Sequence, residues 1–421
     1  MNRIDQARFM LKSVAIYRDV IEDELIDMLI CLMGREITAA DEAAELYSRM
    51  VGRLYQSSFP GNLADYIYDK TLYAENHFTL ECARGDFEKL PEWTRAAARR
   101  DLQALSMAAY MSAAELKQHL QELYPSYASA IAELPEYSCV HAEFHVQPNW
   151  ERRLELFGRF CEECGYGRFS RYKAFYLDAD GCEPTLRPVV NPDDISLEDL
   201  KGYELQQKVI MDNTLALVHG LKANNMLLYG DRGTGKSSTV KAIANELCDK
   251  NLRLVEVSKD NLKYLGRVID ILAKVPMKFI VFTDDLTFAD GDDSYTAMKA
   301  VLEGSSNKLA DNMALYATTN RRHLVTETFS SRQGDEVHLK DTLDEAASLA
   351  DRFGITVTFS SPGKDGFMEI VHRLAADADL DVSEQELDAG AVRWSARRGS
   401  FSPRTARQYI DYMISQKAQG L

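Results

Sequence analysis

A glycine-rich stretch between an apolar segment and an amphipathic segment carries the residue types that bind phosphate. It has the pattern G-x-x-x-x-G-K-S, which begins at Gly230 and ends at Ser237. Backbone without side chains lets successive N–H groups curl around phosphate oxygens, and the N-terminus of a following helix adds partial positive charge. Lys236 is then expected to reach the β and γ phosphates, and the hydroxyl of Ser237 to hold Mg²⁺. The pattern therefore predicts a nucleotide-binding loop that consists of Gly230, Asp231, Arg232, Gly233, Thr234, Gly235, Lys236, Ser237 and Ser238.

Two carboxylates end a later apolar segment, FIVFTDD. Its last residues are Asp284 and Asp285, which fits the strand that holds magnesium in phosphate-loop NTPases, with Asp284 on the metal. The next apolar segment ends in ATTN, where Asn320 or Thr319 is placed to orient the attacking water or to contact the γ-phosphate. For each residue the alternative is a solvated strand end without a ligand. Together with the loop, these residues predict a magnesium-dependent nucleoside triphosphate site.

The segments that must position these residues alternate between strand and helix patterns from about residue 193, which is typical of a parallel sheet. A helix is predicted at 203–221, before the loop. A five-stranded parallel sheet is predicted, with strands at 226–229, 252–258, 279–285, 313–318 and 355–359. The last part of the chain predicts a small helical lid, with helices at 363–378, 383–398 and 402–418. We therefore assign 193–361 to an α/β nucleotide-binding domain and 362–421 to the lid.

The first part of the chain contains no constellation of catalytic residues. Apolar positions recur there at helical spacing, which predicts an all-helical domain over 1–132. Its helices are expected at 4–33, 38–56, 62–83, 92–109 and 112–132. Residues 133–192 are predicted to form a mixed connector, with a strand and a turn in the stretch RFSRYKAFYLDADG.

The connector contains one C-x-x-C pair, Cys161 and Cys164. Other residue types that bind metals lie near it in sequence, namely Cys139, His141, His145 and Cys182. A structural zinc site needs four ligands, usually with paired spacing, and only one such pair is present. Ordinary structural cysteines are therefore favoured, and metal binding by Cys161 and Cys164 is the alternative.

Charge and composition narrow the class of protein. The chain has 421 residues, enough for two or three domains, and a net charge of −16 that is spread over its length. Such an acidic chain is poorly suited to neutralise the phosphates of duplex DNA, although a local basic patch stays open. No segment resembles a signal peptide or an uncharged apolar span of about 18 residues. The seven cysteines are an odd, scattered set, so we expect a cytoplasmic protein without a membrane segment.

Five motifs in this order carry a family resemblance: GDRGTGKSS, FIVFTDD, YATTNRRHL, LADRFG and SPRTAR. Over about residues 195–421 the sequence resembles the AAA+ ATPases, which are P-loop NTPases, and more narrowly a bacterial family of predicted AAA+ ATPases known as domain of unknown function 815. The resemblance implies ATP and Mg²⁺ as ligands. It matches Asn320 to the first sensor, Arg404 to the second sensor on the lid, and Arg352 to the arginine finger that one subunit places into a neighbour's site. It also implies that Gly202 and Tyr203 surround the adenine.

Local physics supports a ligand for Arg404. Ser402 is a good helix cap and Pro403 a good first helical residue, so Arg404 falls in the first turn, where the helix dipole disfavours a cation. A triphosphate would offset that unfavourable charge. The alternative for Arg404 is a surface arginine beside a carboxylate, and the alternative for Arg352 is a simple ion pair.

One position differs from what the resemblance implies, and one stretch matches a family feature only in part. Most AAA+ hydrolases have Glu where this chain has Asp285, and the missing methylene shortens the reach of the carboxylate by roughly 1–1.5 Å. Either the backbone or a second water compensates, or hydrolysis is slow. Tyr264, Leu265 and Gly266 resemble a peptide-threading pore loop, but they run directly into a helical pattern, so a packed helix start is favoured.

These observations favour an oligomeric Mg-dependent ATPase that remodels a protein or nucleoprotein partner, with Arg352 acting between copies of the chain. The alternative is a slow ATP-dependent switch or adaptor whose N-terminal helical domain binds a partner. A loader or regulator that acts on DNA is a weaker option, because the acidic balance opposes it.

Overall fold

The computed structural model describes residues 2–140, 148–179, 184–287, 293–303, 309–320 and 352–418. The chain divides into two compact units, Met1–Arg171 and Tyr172–Leu421. The boundary falls inside the predicted connector 133–192.

The first unit is helical, because apolar side chains recur at helical spacing and bury one stripe of each helix. Its core includes the fully buried aromatic residues Tyr17, Tyr47, Phe78 and Trp150. The α-helices are α1 (Arg3–Lys12), α2 (Arg18–Ile21), α3 (Glu24–Leu32), α4 (Ala40–Gln56), α5 (Leu63–Leu72), α6 (His77–Ala83), α7 (Glu92–Ala109), α8 (Ala113–Leu123), α9 (Ala128–Ala132), α10 (Leu154–Cys164) and α11 (Gly167–Arg171).

Some predicted helices are interrupted, and capping side chains explain the breaks. The predicted helix 4–33 is three helices. The first break arises because the backbone N–H groups of Ala15, Ile16 and Tyr17 donate to the buried carboxylate of Asp101 instead of to helical carbonyls. The second break lies at Asp23, whose side chain caps α3. The predicted helix 62–83 is two helices. Its second part starts at a capping box in which the side chain of Asn76 accepts the N–H of Thr79 and the Thr79 hydroxyl accepts the N–H of Asn76.

The second unit is built on one sheet of seven strands, in the order β2-β1-β4-β5-β6-β3-β7. The strands are β1 (Ala174–Asp178), β2 (Thr185–Pro188), β3 (Met226–Gly230), β4 (Leu252–Glu256), β5 (Lys278–Thr283), β6 (Met313–Thr319) and β7 (Ile355–Phe359). Its helices before the lid are α12 (Glu204–Val218), α13 (Lys236–Glu246), α14 (Leu265–Leu272) and α15 (Asp293–Glu303).

The predicted α/β architecture is confirmed, and the five predicted strands are present as the parallel strands β3 to β7. The predicted number of strands is wrong, because the sheet has seven. The connector supplies two further strands: β1 pairs in parallel with β4, and β2 pairs antiparallel with β1 at the edge of the sheet. β2 is short and contains Pro188, so it lacks a clear strand pattern. The pairing of β1 with β4 joins residues far apart in sequence, which no local pattern indicates.

The register of the central strands brings the predicted site residues to one edge of the sheet. In β3, Gly230 is opposite Phe359 of β7, and Tyr229 is opposite Thr319 of β6. Thr283, the last residue of β5, is opposite Ala317 of β6. Because these strands are parallel, the glycine-rich loop, the carboxylates after β5 and the polar end of β6 all follow the same edge.

The C-terminal lid consists of α16 (Gly363–Asp377), α17 (Glu384–Arg398) and α18 (Pro403–Ala418). These helices pack around their own apolar cluster, which includes Phe367, Val371, Ala406 and Tyr409. Ser383 caps α17 and Gly399 ends it with a left-handed backbone. None of the helices in the described ranges combines the length and the apolar character that a bilayer-spanning segment requires.

Candidate functional site

The loop between β3 and α13 depends on glycines whose backbone conformation other residues rarely adopt. Gly230 has φ of +148°, and a Cβ there would lie 2.0 Å from the carbonyl oxygen of Phe359. The next N–H, that of Asp231, donates to the same carbonyl at 3.1 Å. Gly233 and Gly235 have φ of +77° and +89°. Gly235 is the N-cap of α13, so the first turn of this helix faces the loop interior.

Lys236 is nearly buried, at 6% exposure, and its amine lies inside the loop. Its Nζ donates to the carbonyls of Gly230 and Asp231 and to Oδ1 of Asn320, each at 2.8 Å. Burial lowers the pKa of Lys236, while the nearby carboxylates of Asp284, Asp231 and Asp285 oppose that shift. Lys236 and Asn320, 84 positions apart in sequence, are therefore in direct contact.

The two carboxylates after β5 have different partners. Asp284 accepts hydrogen bonds through Oδ1 from the hydroxyls of Ser237 and Thr318. Asp285 accepts the side-chain N–H of Asn320 at 2.7 Å and has a left-handed backbone, with φ of +50°. A hydroxyl beside a carboxylate is the oxygen donor set that Mg²⁺ prefers. Ser237 and Asp284 therefore fit a magnesium ion bound together with phosphate.

Two cavities meet at the loop. One has a volume of about 430 Å³ and is lined by charged and polar groups that include Lys236, Asp284 and Asp285. The other, of about 480 Å³, is lined partly by apolar side chains such as Leu200, Ile370 and Leu374. Four residues line both cavities, Gly233, Gly235, Ser238 and Arg404. We name these the phosphate cavity and the nucleoside cavity, since a polar and a largely apolar compartment side by side match the two halves of a nucleotide.

Gly202 and Tyr203 lie where the nucleoside cavity meets the lid. A Cβ on Gly202, which has φ of +93°, would lie 2.8 Å from Cδ1 of Ile370 in α16. Tyr203 lines the cavity, its ring packs on Phe359 at 5.1 Å between centroids, and its hydroxyl donates to the carbonyl of Ser360 at 2.6 Å. Burial, with a smaller effect of Asp231, raises the pKa of Tyr203 to about 12.

Arg404 extends from the first turn of α18 into the region shared by both cavities. Its backbone N–H donates to the carbonyl of Gly233 at 3.2 Å. The guanidinium has no hydrogen bond or ion pair with any residue that the structure describes, and the side chain is exposed. The alternative interpretation of Arg404 is a surface arginine paired with a carboxylate, and no carboxylate among the described residues pairs with it. Arg232 is also exposed and lines the phosphate cavity.

Arg352 does not join these residues. It precedes Ile355, the first residue of β7, by three positions, whereas the loop follows the last residue of the neighbouring strand β3. Because β3 and β7 are parallel, Arg352 lies at the N-terminal ends of these strands. The loop of its own chain lies at the opposite edge of the sheet, where the strands end. It lines a separate cavity of about 800 Å³ together with Asn224 and Gly354. The preceding residues of its motif, 349–351, lie outside the described residues.

One residue of the site, Thr318, and one contact of the predicted loop residue Asp231 were not predicted from the sequence. Thr318 lines the phosphate cavity and bonds to Asp284, and Asp231 accepts the backbone N–H of Ser361 at 2.9 Å through Oδ2. The first has a signal in the sequence, because side chains two positions apart on a strand point to the same face, and Thr318 is two positions before Asn320. The second joins the loop to the end of β7 and has no local signal. Thr319, the other residue considered there, is buried.

The remaining candidates lie elsewhere. Cys161 is 3% exposed within the helical core of the first unit, and burial raises its pKa. Within the described ranges no group of three or more metal-binding side chains is close enough to hold an ion, and His141, His145 and Cys182 lie outside them. Metal binding by Cys161 and Cys164 stays untested. Leu265, in the stretch that resembles a pore loop, is 1% exposed and starts α14.

Comparison with known proteins gives a family and several distant relatives. The family described as "Protein of unknown function (DUF815)" matches residues 140–417. A proteasome-activating nucleotidase 2 from Haloferax volcanii is 27% identical over 55% of this chain and 59% of its own length. A replication factor C small subunit from Haloarcula marismortui is 24% identical over 46% of this chain and 53% of its own. The matches thus span little more than half of these relatives.

Among solved structures, the RuvB Holliday junction branch migration motor of Thermotoga maritima is similar at 18% identity. The match covers 52% of this chain and 63% of that one, with a TM-score of 0.36.

Proposed function

We propose that this chain, which belongs to the DUF815 family, is an AAA+ ATPase. In this proposal it hydrolyses ATP with Mg²⁺ to remodel a protein or nucleoprotein partner. The observation that carries the proposal is the pair of adjoining cavities, which share Gly233, Gly235, Ser238 and Arg404. A nucleoside fits beside Tyr203, and a triphosphate fits along the loop towards Asp284 and Asp285.

Each side chain then has a distinct task. The loop N–H groups and Lys236 bind phosphate oxygens, and Arg404 adds a second positive charge from the lid. Ser237 and Asp284 hold Mg²⁺, which neutralises charge on the β and γ phosphates when it is bound. Asp285 orients the attacking water, and Asn320 keeps the carboxylate of Asp285 near the end of the phosphate chain. Gly202 and Tyr203 surround the base.

Arg352 is proposed to act on a second copy of the chain. Its position at the opposite edge of the sheet supports this assignment, because an arginine there is remote from the loop of its own chain. An arginine that reaches a neighbouring site and stabilises charge in phosphoryl transfer contributes about 10³ to 10⁵ in rate. The same proposal therefore implies that the active form is a homo-oligomer. The protein partner stays unidentified.

The first experiment compares two lysines on one helix. Lys236→Ala is expected to abolish ATP binding and turnover, because it removes the cation inside the loop. Lys241→Ala is the matched control, since Lys241 is also on α13 but pairs with Glu256 at 2.8 Å. Binding is measured by calorimetry with ATP and Mg²⁺, and turnover by phosphate release. Wild-type protein that neither binds nor hydrolyses ATP, across protein concentrations that span assembly, would refute the proposal.

A second experiment tests whether Arg352 acts between copies. Lys236→Ala and Arg352→Ala are each expected to be inactive alone. In a mixed assembly, an intact loop from an Arg352→Ala copy meets an intact Arg352 from a Lys236→Ala copy, so part of the turnover should return. Native mass spectrometry verifies that the two variants assemble together. Mixed assemblies without any recovered turnover would contradict the role between copies.

A slow ATP-dependent switch is the second candidate, and one observation favours it. Asp285 carries the shorter carboxylate, and that carboxylate is held by Asn320 at 2.7 Å. A switch retains ATP and turns over far less than once per minute, so rapid multiple turnover by the isolated protein would exclude it. Action on nucleic acid is disfavoured by the net charge of −16. A cytoplasmic location stays a prediction.

A further inference from the structure

Thr318 makes an unusual set of contacts at the end of β6. Its hydroxyl donates to Oδ1 of Asp284 and accepts the backbone N–H of Asp285 at 2.9 Å. Its carbonyl accepts the N–H of Leu286 at 2.7 Å. One residue of a central strand thus bonds to three consecutive residues of the turn that carries both carboxylates. Thr318 is 1% exposed, and a β-branched side chain has few rotamers, so this arrangement is rigid.

The turn that Thr318 holds contains a strained residue. Asp285 has φ of +50°, a left-handed conformation that is costly for residues other than glycine and is tolerated best by Asn and Asp. Such strain persists only where surrounding contacts enforce it, and an observed outlier of this kind supports a hypothesis of function. Here the left-handed turn directs the carboxylate of Asp285 to Asn320 and into the phosphate cavity.

We infer that Thr318 is a positioning residue that enforces the left-handed turn at Asp285, and that this turn compensates for the shorter carboxylate at the water-orienting position. The inference rests on the proposed ATPase function. In this inference Thr318 and Asp285 depend on each other, because the backbone that Thr318 holds, rather than a longer side chain, places the carboxylate of Asp285. On this backbone the longer side chain of a Glu at position 285 would collide with Asn320. Glu also adopts the left-handed conformation less readily than Asp.

The neighbouring strand offers a matched control. Thr283, at the end of β5, is also fully buried, but its hydroxyl has no hydrogen-bond partner among the described residues. Thr283→Val and Thr318→Val therefore make the same chemical change at neighbouring strand ends. Only the second removes the hydrogen bonds with the carboxylate of Asp284 and the backbone N–H of Asp285.

The kinetic test separates positioning from general packing. Thr318→Val is expected to lower kcat by about 10- to 100-fold, the cost of misplacing a reacting group by about 1 Å, with KM within about twofold. Thr318→Ser, which keeps the hydroxyl, should retain most of the turnover, and Thr283→Val should match the wild type. In the double variant Asp285→Ala/Thr318→Val the two losses in kcat should be less than additive, because Thr318 acts in part through Asp285. Asp285→Glu should be slower than the wild type.

Hydrogen exchange of the full chain without nucleotide provides a readout independent of turnover. Thr318→Val removes the nearer acceptor of the Asp285 amide, the Thr318 hydroxyl at 2.9 Å, and leaves the second acceptor, Oδ1 of Asp284 at 3.1 Å. It also leaves the carbonyl that accepts the Leu286 amide. Exchange at Asp285 should accelerate about tenfold, by the loss of one hydrogen bond, while exchange at Leu286 stays unchanged.

The outcomes that overturn the inference are distinct from those that overturn the proposed function. Faster turnover by Asp285→Glu, an unchanged kcat in Thr318→Val, or unchanged exchange at Asp285 would each overturn the role of Thr318. Wild-type protein without ATP turnover would refute the ATPase function, and the exchange result would still decide whether Thr318 enforces the turn.

Discussion

The backbone N–H of Arg404 donates a hydrogen bond of 3.2 Å to the carbonyl oxygen of Gly233. This bond joins the first turn of the last lid helix to the middle of the phosphate loop. A Cβ on Gly233 would lie 2.9 Å from Oγ of Ser402 and 3.3 Å from Cβ of Arg404. The loop and the lid therefore constrain each other, and the proposed second cation reaches the phosphate cavity because of this close approach.

Gly233→Ala is expected to weaken ATP binding by about tenfold, a cost of about 1.4 kcal/mol for strained backbone and a displaced lid. Gly399→Ala is the matched control. Gly399 also has a positive φ, +65°, but a Cβ there meets no atom within 4 Å. It should lower stability by about 1 kcal/mol without changing ATP affinity. Calorimetric titration and thermal unfolding of both variants measure the two effects. Equal ATP affinity in Gly233→Ala and wild type would contradict the prediction.

The lowered pKa of Lys236 predicts that ATP affinity declines at alkaline pH before an ordinary lysine would lose its charge. Phosphate binds the protonated amine, so affinity falls as pH rises through the lowered pKa, which lies below the usual 10.5. The same shift means that the buried charge costs stability at neutral pH and that this cost is relieved as pH rises towards 10.5. The measurement is the ATP dissociation constant against pH.

Lys236→Arg is the comparison for this pH profile. A guanidinium stays protonated throughout the range, so the variant binds more weakly overall but should lose the alkaline decline. If both proteins show the same decline, Lys236 is not its source.

Three ion pairs join residues 199–204, which end at the first residue of α12, to the lid and predict a salt-sensitive rate of nucleotide release. They are Lys201 with Asp377 at 2.7 Å, Glu204 with Arg373 at 2.5 Å and Asp199 with Arg407 at 3.8 Å. The segment alternates in charge, and the lid residues complement it. Lys201→Glu should accelerate nucleotide release about fivefold, because a partly exposed pair contributes up to about 1 kcal/mol.

The reversed pair provides the control for that prediction. Lys201→Glu/Asp377→Lys should return the release rate close to wild type, and about 1 M salt should remove most of the difference, since it screens exposed charges. Stopped-flow release of a fluorescent nucleotide measures the rates. A double variant as fast as the single one would show that the pair does not hold the lid.

Asp101 is expected to be the most sensitive acidic residue of the helical unit. It is 2% exposed and accepts three backbone N–H groups, from Ala15, Ile16 and Tyr17. Asp101→Ala leaves these donors unpaired in the interior, which should lower the free energy of unfolding of this unit by about 3 kcal/mol. Urea unfolding measured by circular dichroism tests this. Asp41→Ala, at an exposed position of α4, should have little effect, and equal midpoints for the two variants would contradict the prediction.

Short segments of the sequence specify much of the structure of this protein. The spacing from Gly230 to Ser237, the apolar run before Asp284 and the helical periodicity of the lid each depend on residues a few positions apart. Their physical causes are backbone freedom, side-chain alternation and capping, which act locally. The fold class and the loop could therefore be predicted from the sequence.

Tertiary structure alone decided the rest. The addition of β1 to the sheet, the position of Arg352 at the edge opposite its own loop, and the contacts of Thr318 with the Asp284 carboxylate and the Asp285 backbone all depend on residues distant in sequence. The left-handed backbone at Asp285 is an example, because its N–H bonds to a strand 33 positions away. A local sequence pattern indicates which residues can adopt a given conformation. Packing and register between strands determine which of those residues adopt it in the folded protein.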